Sequence, residues 1–161
     1  MSIRSVDTDH DNLAVILIAD LAAPIEQVWE LWSDPRKLER WLGPPSHPAT
    51  VEQHDLTPGG EVTFFMTGPE GDVSWGTWRL AAVDPPVSLE FTDAFADTDG
   101  TPIAGTPVTT IRVQLTEHGD GTRMEIRATF ESREDMAAWL NMGTVDGLQQ
   151  AVSQMDALLA A

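Results

Sequence analysis

The chain has 161 residues, 26 acidic against nine basic, for a net charge of −17, and 42% of it is hydrophobic with no cysteine at all. A surface that negative repels phosphate backbones and anionic headgroups, so neither nucleic acid nor membrane is an expected partner. Disulfides, thiolate nucleophiles and Cys-based metal sites are excluded, as is a tyrosine acid, and Lys37 is the one lysine open to Schiff-base chemistry.

By surface scaling, a chain of this mass exposes about 7,900 Å² folded against about 25,500 Å² unfolded, so roughly two-thirds of its surface can be buried in one core. The N-terminus has no basic segment followed by an apolar run, and no stretch approaches the ~18 apolar residues of a membrane span. The sequence therefore reads as a soluble cytoplasmic protein, monomer or homodimer, with residues 1–12 a flexible polar lead-in and 13–161 a single domain.

Leu13 to Leu21 is almost continuously aliphatic, which predicts a strand covered on both faces. Pro24 suits a first helical position, and Ile25, Val28, Trp29 and Trp32 recur at helical spacing behind it. Asp34 as N-cap and Pro35 at the first turn restart the chain into a second short helix carrying Leu38, Trp41 and Leu42, which Gly43-Pro44-Pro45 ends. From Ala49 to Phe130 the period falls to two, with turns at Pro58-Gly59-Gly60, Gly68 to Gly71, Asp84-Pro85-Pro86 and Gly119-Asp120-Gly121.

Apolar rows Val62/Phe64/Met66, Trp78/Leu80, Leu89/Phe91, Ile111/Val113/Leu115 and Met124/Ile126/Ala128/Phe130 alternate with polar neighbours, and Val51 to Leu56 adds a further strand. Ser132 with Asp135 caps a helix bearing Met136 and Leu140, and Gly143 is placed to kink or interrupt it. Seventeen residues from Thr144, with Val145, Leu148, Val152, Met155 and Leu159 on one stripe, would span about 25 Å. The predicted order is strand, two helices, six strands, long helix: an α+β architecture of about seven antiparallel strands whose apolar face the last helix covers.

Several stretches, taken in order and spacing, resemble the SRPBCC (START-like) superfamily and, within it, proteins similar to the activator of the heat-shock protein 90 ATPase. They are Ala23 to Trp29, Asp34-Pro35 leading to Trp41-Leu42-Gly43-Pro44, Pro58-Gly59-Gly60, Met66 to Gly71, Asp84-Pro85-Pro86 and Met142 to Leu148. Leu148 stands where the family often has tryptophan. The resemblance covers nearly the whole chain from Leu13 and implies a helix-grip fold, in which a curved sheet wraps the C-terminal helix and can leave a cavity between them. It implies no single activity, because the superfamily spans lipid carriers, hormone receptors, cyclases and co-chaperone domains.

The inward positions Phe64, Met66, Trp78, Leu80, Leu89 and Phe91, with Met136, Leu140 and Leu148 of the last helical segment, are the expected walls of such a cavity, and each is equally at home as plain core. The guest would be a small hydrophobic or amphipathic molecule. Arg36, Lys37 and Arg40 form the one local basic cluster, either a solvated helix face or a patch for a protein partner or a ligand carboxylate. His10, His47, His54 and His118 have no metal-ligand spacing, so neither metal nor cofactor is expected.

Ser74 lies outside any nucleophile elbow, and the glycine clusters join strands rather than open helices. Asp93, Asp97 and Asp99 before Gly100 invite a calcium reading, which fails because Phe95 and Thr106 would fill the loop's first and last positions, and Asp97-Thr98-Asp99-Gly100 is read as a hairpin tip. Phe95 is then free to fold over a cavity mouth. Three functions compete: non-catalytic ligand binding, a co-chaperone-type interaction module, and a cyclase- or hydrolase-like enzyme. A void of roughly 300 Å³ or more favours the first and third, and a desolvated carboxyl or His54 inside it would give the third its acid or base.

Overall fold

A computed structural model describes residues 3–160, so that Met1, Ser2 and Ala161 lie outside the described residues. Its elements are β1 (Ile3–Asp9), β2 (Ala14–Leu21), α1 (Ile25–Ser33), α2 (Pro35–Leu42), β3 (Ala49–His54), β4 (Glu61–Thr67), β5 (Val73–Asp84), β6 (Ser88–Ala96), β7 (Val108–His118), β8 (Gly121–Phe130), α3 (Arg133–Asn141) and α4 (Thr144–Ala160). All eight strands lie in one antiparallel sheet of order β1-β2-β8-β7-β6-β5-β4-β3.

The predicted meander is present, and the helix-grip arrangement with it. β8 shows why: Met124, Ile126, Ala128 and Phe130 are buried while Arg123, Glu125, Arg127 and Thr129 between them are half-exposed, the period-two pattern of a sheet with one covered face. Register shifts at Val51/Gln53 on β3 and Leu80/Ala82 on β5 insert bulges, which bend long strands and raise their twist. The sheet closes around α4, whose Ala151, Val152 and Met155 are buried. Val145, Leu148 and Leu159 are only partly buried, so the helix's inward stripe is narrower than its sequence period implies.

The N-terminal expectation needs correction. Residues 3–9 are not a flexible lead-in but an edge strand, and they raise the strand count from about seven to eight. Ile3 and Val6 pack against the core from it. Asp9 builds the turn into β2, its carboxylate accepting from the Asp11 and Asn12 backbone N–H groups at 3.2 and 3.1 Å and from the Asn12 amide at 2.7 Å. Asp7 and Asp9 put negative charge on this edge strand, which disfavours its pairing with other chains.

Local signals otherwise fall where expected, with small displacements. The Asp34 carboxylate caps α2 by accepting from Arg36 N–H at 2.9 Å, and the Ser132 hydroxyl caps α3 by accepting from Asp135 N–H at 3.1 Å. Pro24 takes the N-cap position of α1 rather than its first turn, its carbonyl accepting from Gln27 and Val28. β3 runs Ala49–His54 instead of reaching Leu56. Gly143, at φ 74°, interrupts the C-terminal helix outright and separates α3 from α4, a left-handed geometry that favours glycine.

Candidate ligand cavity

Between the sheet and the helices lies a cavity of about 350 Å³. It sits toward the end of the sheet where β4 finishes and β5 begins: Phe64 and Met66 of β4, Ser74, Gly76 and Trp78 of β5, and Phe91 and Asp93 of β6 line it. The opposite wall comes from the helices, with Trp32 of α1, Trp41 of α2, Trp139 of α3, and Gly147, Leu148 and Ala151 of α4. Phe95 and Met142 also line it while 38% and 54% exposed, so they stand at its rim. The Asp97 tip beyond Phe95 is a turn, as read: its carboxylate accepts from Asp99 and Thr101 N–H at 2.9 and 3.0 Å, and Gly100 has φ 81°.

The aromatic residues of the wall are interlocked. Trp78 stacks on Phe91 with centroids 4.1 Å apart and planes at 20°, meets Phe64 edge-on at 5.8 Å, and lies 6.1 Å from Trp32, which in turn meets Trp41 at 4.6 Å. Gly76 makes that packing possible, because a Cβ on it would fall 2.5 Å from the Phe64 ring. The Trp41 indole donates to the Leu31 carbonyl at 2.8 Å. The indole nitrogens of Trp32 and Trp78 are buried and have no hydrogen-bond partner among the described residues, a cost of about 1–3 kcal/mol for each unpaired donor.

Of the nine residues predicted as walls, five meet here: Phe64, Met66, Trp78, Phe91 and Leu148. The other four do not line the cavity. Leu80 and Leu89 are buried farther along β5 and β6, where the sheet face is filled by side chains: Leu80 stands opposite Phe91 and Leu89 opposite Val83 and Val113. Met136 is fully covered in the core and Leu140 packs against it, because Gly143 ends α3 and leaves α4, together with Trp139, to face the void.

The basic cluster lies apart from the cavity. Arg36 pairs with Glu39 at 3.4 Å and donates to the Val51 carbonyl at 2.8 Å, Lys37 pairs with Glu30, and Arg40 is exposed. His54 touches the Trp32 carbonyl through Nε2 at 3.1 Å and does not line the cavity. Among the described residues, no group of three or more His, Cys, Asp or Glu is arranged to hold a metal ion, and no helix is long and apolar enough to cross a membrane.

Sequence reasoning passed over Asp93 as a site residue. It continues the inward alternation of Leu89 and Phe91 and stands in register with Trp78 on one side and Thr109 on the other. Among the described residues it is the one ionisable side chain lining the cavity, and none of them hydrogen-bonds its carboxyl. Burial pushes that carboxyl up to about 7, since a low-polarity environment disfavours the charged form. The signal was available: an aspartate two positions after Phe91 on an otherwise apolar strand face.

An antiparallel sheet gripping a C-terminal helix over an apolar, aromatic cavity defines a helix-grip domain. The chain belongs to the family described as Activator of Hsp90 ATPase homolog 1-like protein, whose model matches residues 22–160. Among solved structures it is similar to Protein Ms6760 from Mycobacterium smegmatis, at 46% identity over 98% of this chain and 96% of that one, TM-score 0.91. It is also similar to a protein from Arthrobacter aurescens, at 43% identity over 97% and 91%, TM-score 0.93. DynU16, described as a putative protein in the dynemicin biosynthetic locus, shares the fold alone: 20% identity over 89% of this chain and 47% of that one, TM-score 0.63. No curated protein matches the sequence.

Proposed function

We propose that the protein binds a small hydrophobic or amphipathic molecule, without chemical conversion, in the cavity between the sheet and its C-terminal helix. The observation that carries this reading is unfilled space of about 350 Å³ in an otherwise closely packed interior, a size within the range of small-molecule sites. Its lining is mostly aromatic and aliphatic, which supplies affinity through burial, while a lone polar group supplies orientation. An interaction module of co-chaperone type has no need of such a void, and two of the three residues in the basic cluster already face carboxylates. For the enzyme reading, Asp93 is an acid without a second titratable group in the cavity to take or return its proton.

Native mass spectrometry of protein purified from its own host tests the proposal. A co-purified small molecule, released on denaturation and absent from a Gly147→Leu variant whose added side chain occupies the cavity, is the expected result. Protein that carries nothing and takes up no apolar probe at millimolar concentration overturns it.

A further inference from the structure

Resting on that reading, the lining also distinguishes which kind of amphipath the cavity takes. Three observations converge on the guest's polar end. Among the described residues Asp93 is the sole ionisable side chain of the lining, and none of them hydrogen-bonds its carboxyl. It stands in register with Trp78, whose ring is stacked on Phe91 and neighbours Trp32, so the carboxyl is set beside a group of aromatic rings. The whole chain carries −17.

Each class of head group meets that arrangement differently. A carboxylate or phosphate is repelled by Asp93 at contact and by the protein's field at long range. A hydroxyl donates one hydrogen bond but brings no positive charge, so an ionised Asp93 beside it stays without a counter-charge in a poorly solvated place. A protonated amine donates a charge-assisted hydrogen bond, roughly twice as strong as a neutral one, and its charge is attracted by indole faces as well. The protein's negative field raises the local concentration of such cations.

We propose that the cavity selects hydrophobic amines, with the ammonium group paired to the Asp93 carboxylate among the aromatic rings and the apolar body directed toward Met66 and Leu148. Burial has raised the carboxyl to about 7 in the free protein, and an ammonium neighbour returns it toward the ordinary range. Amine binding below neutrality therefore releases a proton to solvent.

The test uses three probes of one shape, phenylbutylamine, phenylbutanol and phenylbutanoate, titrated against the full chain by calorimetry at mildly alkaline pH and again with Asp93→Asn. The amine is expected to bind about tenfold or more tighter than the alcohol, the carboxylate weakest, and Asp93→Asn to remove about tenfold from the amine while moving the alcohol within about twofold. The ranking on the native chain stands as a readout even where the variant folds poorly, and alcohol binding to the variant reports its intact cavity. Equal affinity for amine and alcohol, or equal losses for both in the variant, overturns amine selection and leaves the cavity reading intact. No binding by any of the three overturns the cavity reading and amine selection with it.

Discussion

Asp93 on β6 faces Trp78 on β5 across the ladder, which sets the one ionisable group of the cavity lining against an indole stacked on Phe91. A carboxyl there makes the protein's stability depend on pH with a sign opposite to that of a paired surface aspartate. Its folded value, about 7, lies above its ordinary 3.8, so the folded state holds the proton more tightly than the unfolded chain does. The contribution is fully present below about pH 4, is lost as pH rises through about 7, and is constant beyond. Asp93→Asn keeps the shape and removes the titration. Urea midpoints at about pH 5 and about pH 8 are expected to converge in the variant, with a gain at the higher pH of a few kcal/mol at most, since Asp93 is only half-buried. An unchanged gap between the two midpoints would count against a desolvated carboxyl.

Asp20 works in the other direction. Its carboxylate accepts from Arg123 Nε at 2.7 Å and from the Arg123 guanidinium again at 3.0 Å, joining β2 to β8, and these hydrogen bonds hold its pKa below the ordinary range. That contribution is present above about pH 4 and is lost as pH falls through the lowered value. Asp20→Asn is expected to lower the urea midpoint at neutral pH and to match the parent protein in strong acid, and a difference that persists in acid would show that the pairing is not its cause.

Phe64→Ala and Trp78→Ala remove wall and core together, with a truncation cost of about 3–5 kcal/mol each. Both are expected to change probe uptake as well as the unfolding midpoint. Leu80→Ala, buried away from the void, should cost about 2–5 kcal/mol and leave uptake per folded molecule unchanged. If Leu80→Ala alters uptake as much as Trp78→Ala does, the two ends of the sheet face are not separable as described.

Gly147 lines the cavity from α4, and a Cβ built there meets nothing within 4 Å. Gly147 stands in the first turn of α4, and replacing a helical glycine relieves its backbone entropy cost, worth at most about 0.5–1 kcal/mol. Gly147→Leu also buries side chain in the void, so thermal stability is expected to rise while probe binding is abolished. A less stable variant with normal uptake would place the free space elsewhere.

What was legible in the sequence followed the strength of each local rule. Met124 to Phe130 and Ile111 to Leu115 announced their covered face by alternation, and Asp34-Pro35 and Ser132 marked helix starts by capping chemistry. Residues 3–9 were misread because polar residues describe an exposed edge strand and a solvated tail equally well, and β1 exists through its ladder with β2. The walls were half legible for a related reason: alternation assigns Leu80 and Trp78 to one face without saying where along it the packing stops. That limit is set by which helices pack over each stretch of the sheet face, a long-range property. Asp93 was not legible as a wall because an aspartate close to the Asp97 to Gly100 turn fits a calcium or turn pattern as well as a strand, although its parity with Phe91 put it inside.

The ladder between β2 and β8 joins residues as far apart in the chain as Asp20 and Arg123, separated by 103 positions, while the other pairings connect strands adjacent in sequence. Contacts of such separation carry the largest loop-closure cost. Trp32 and Trp41 follow β2 in the chain, whereas the walls on α3 and α4 follow β8, so this ladder brings the two groups together. A chain still open at the β2–β8 seam thus has no chamber to offer, and any molecule housed inside stabilises the fully closed chain alone.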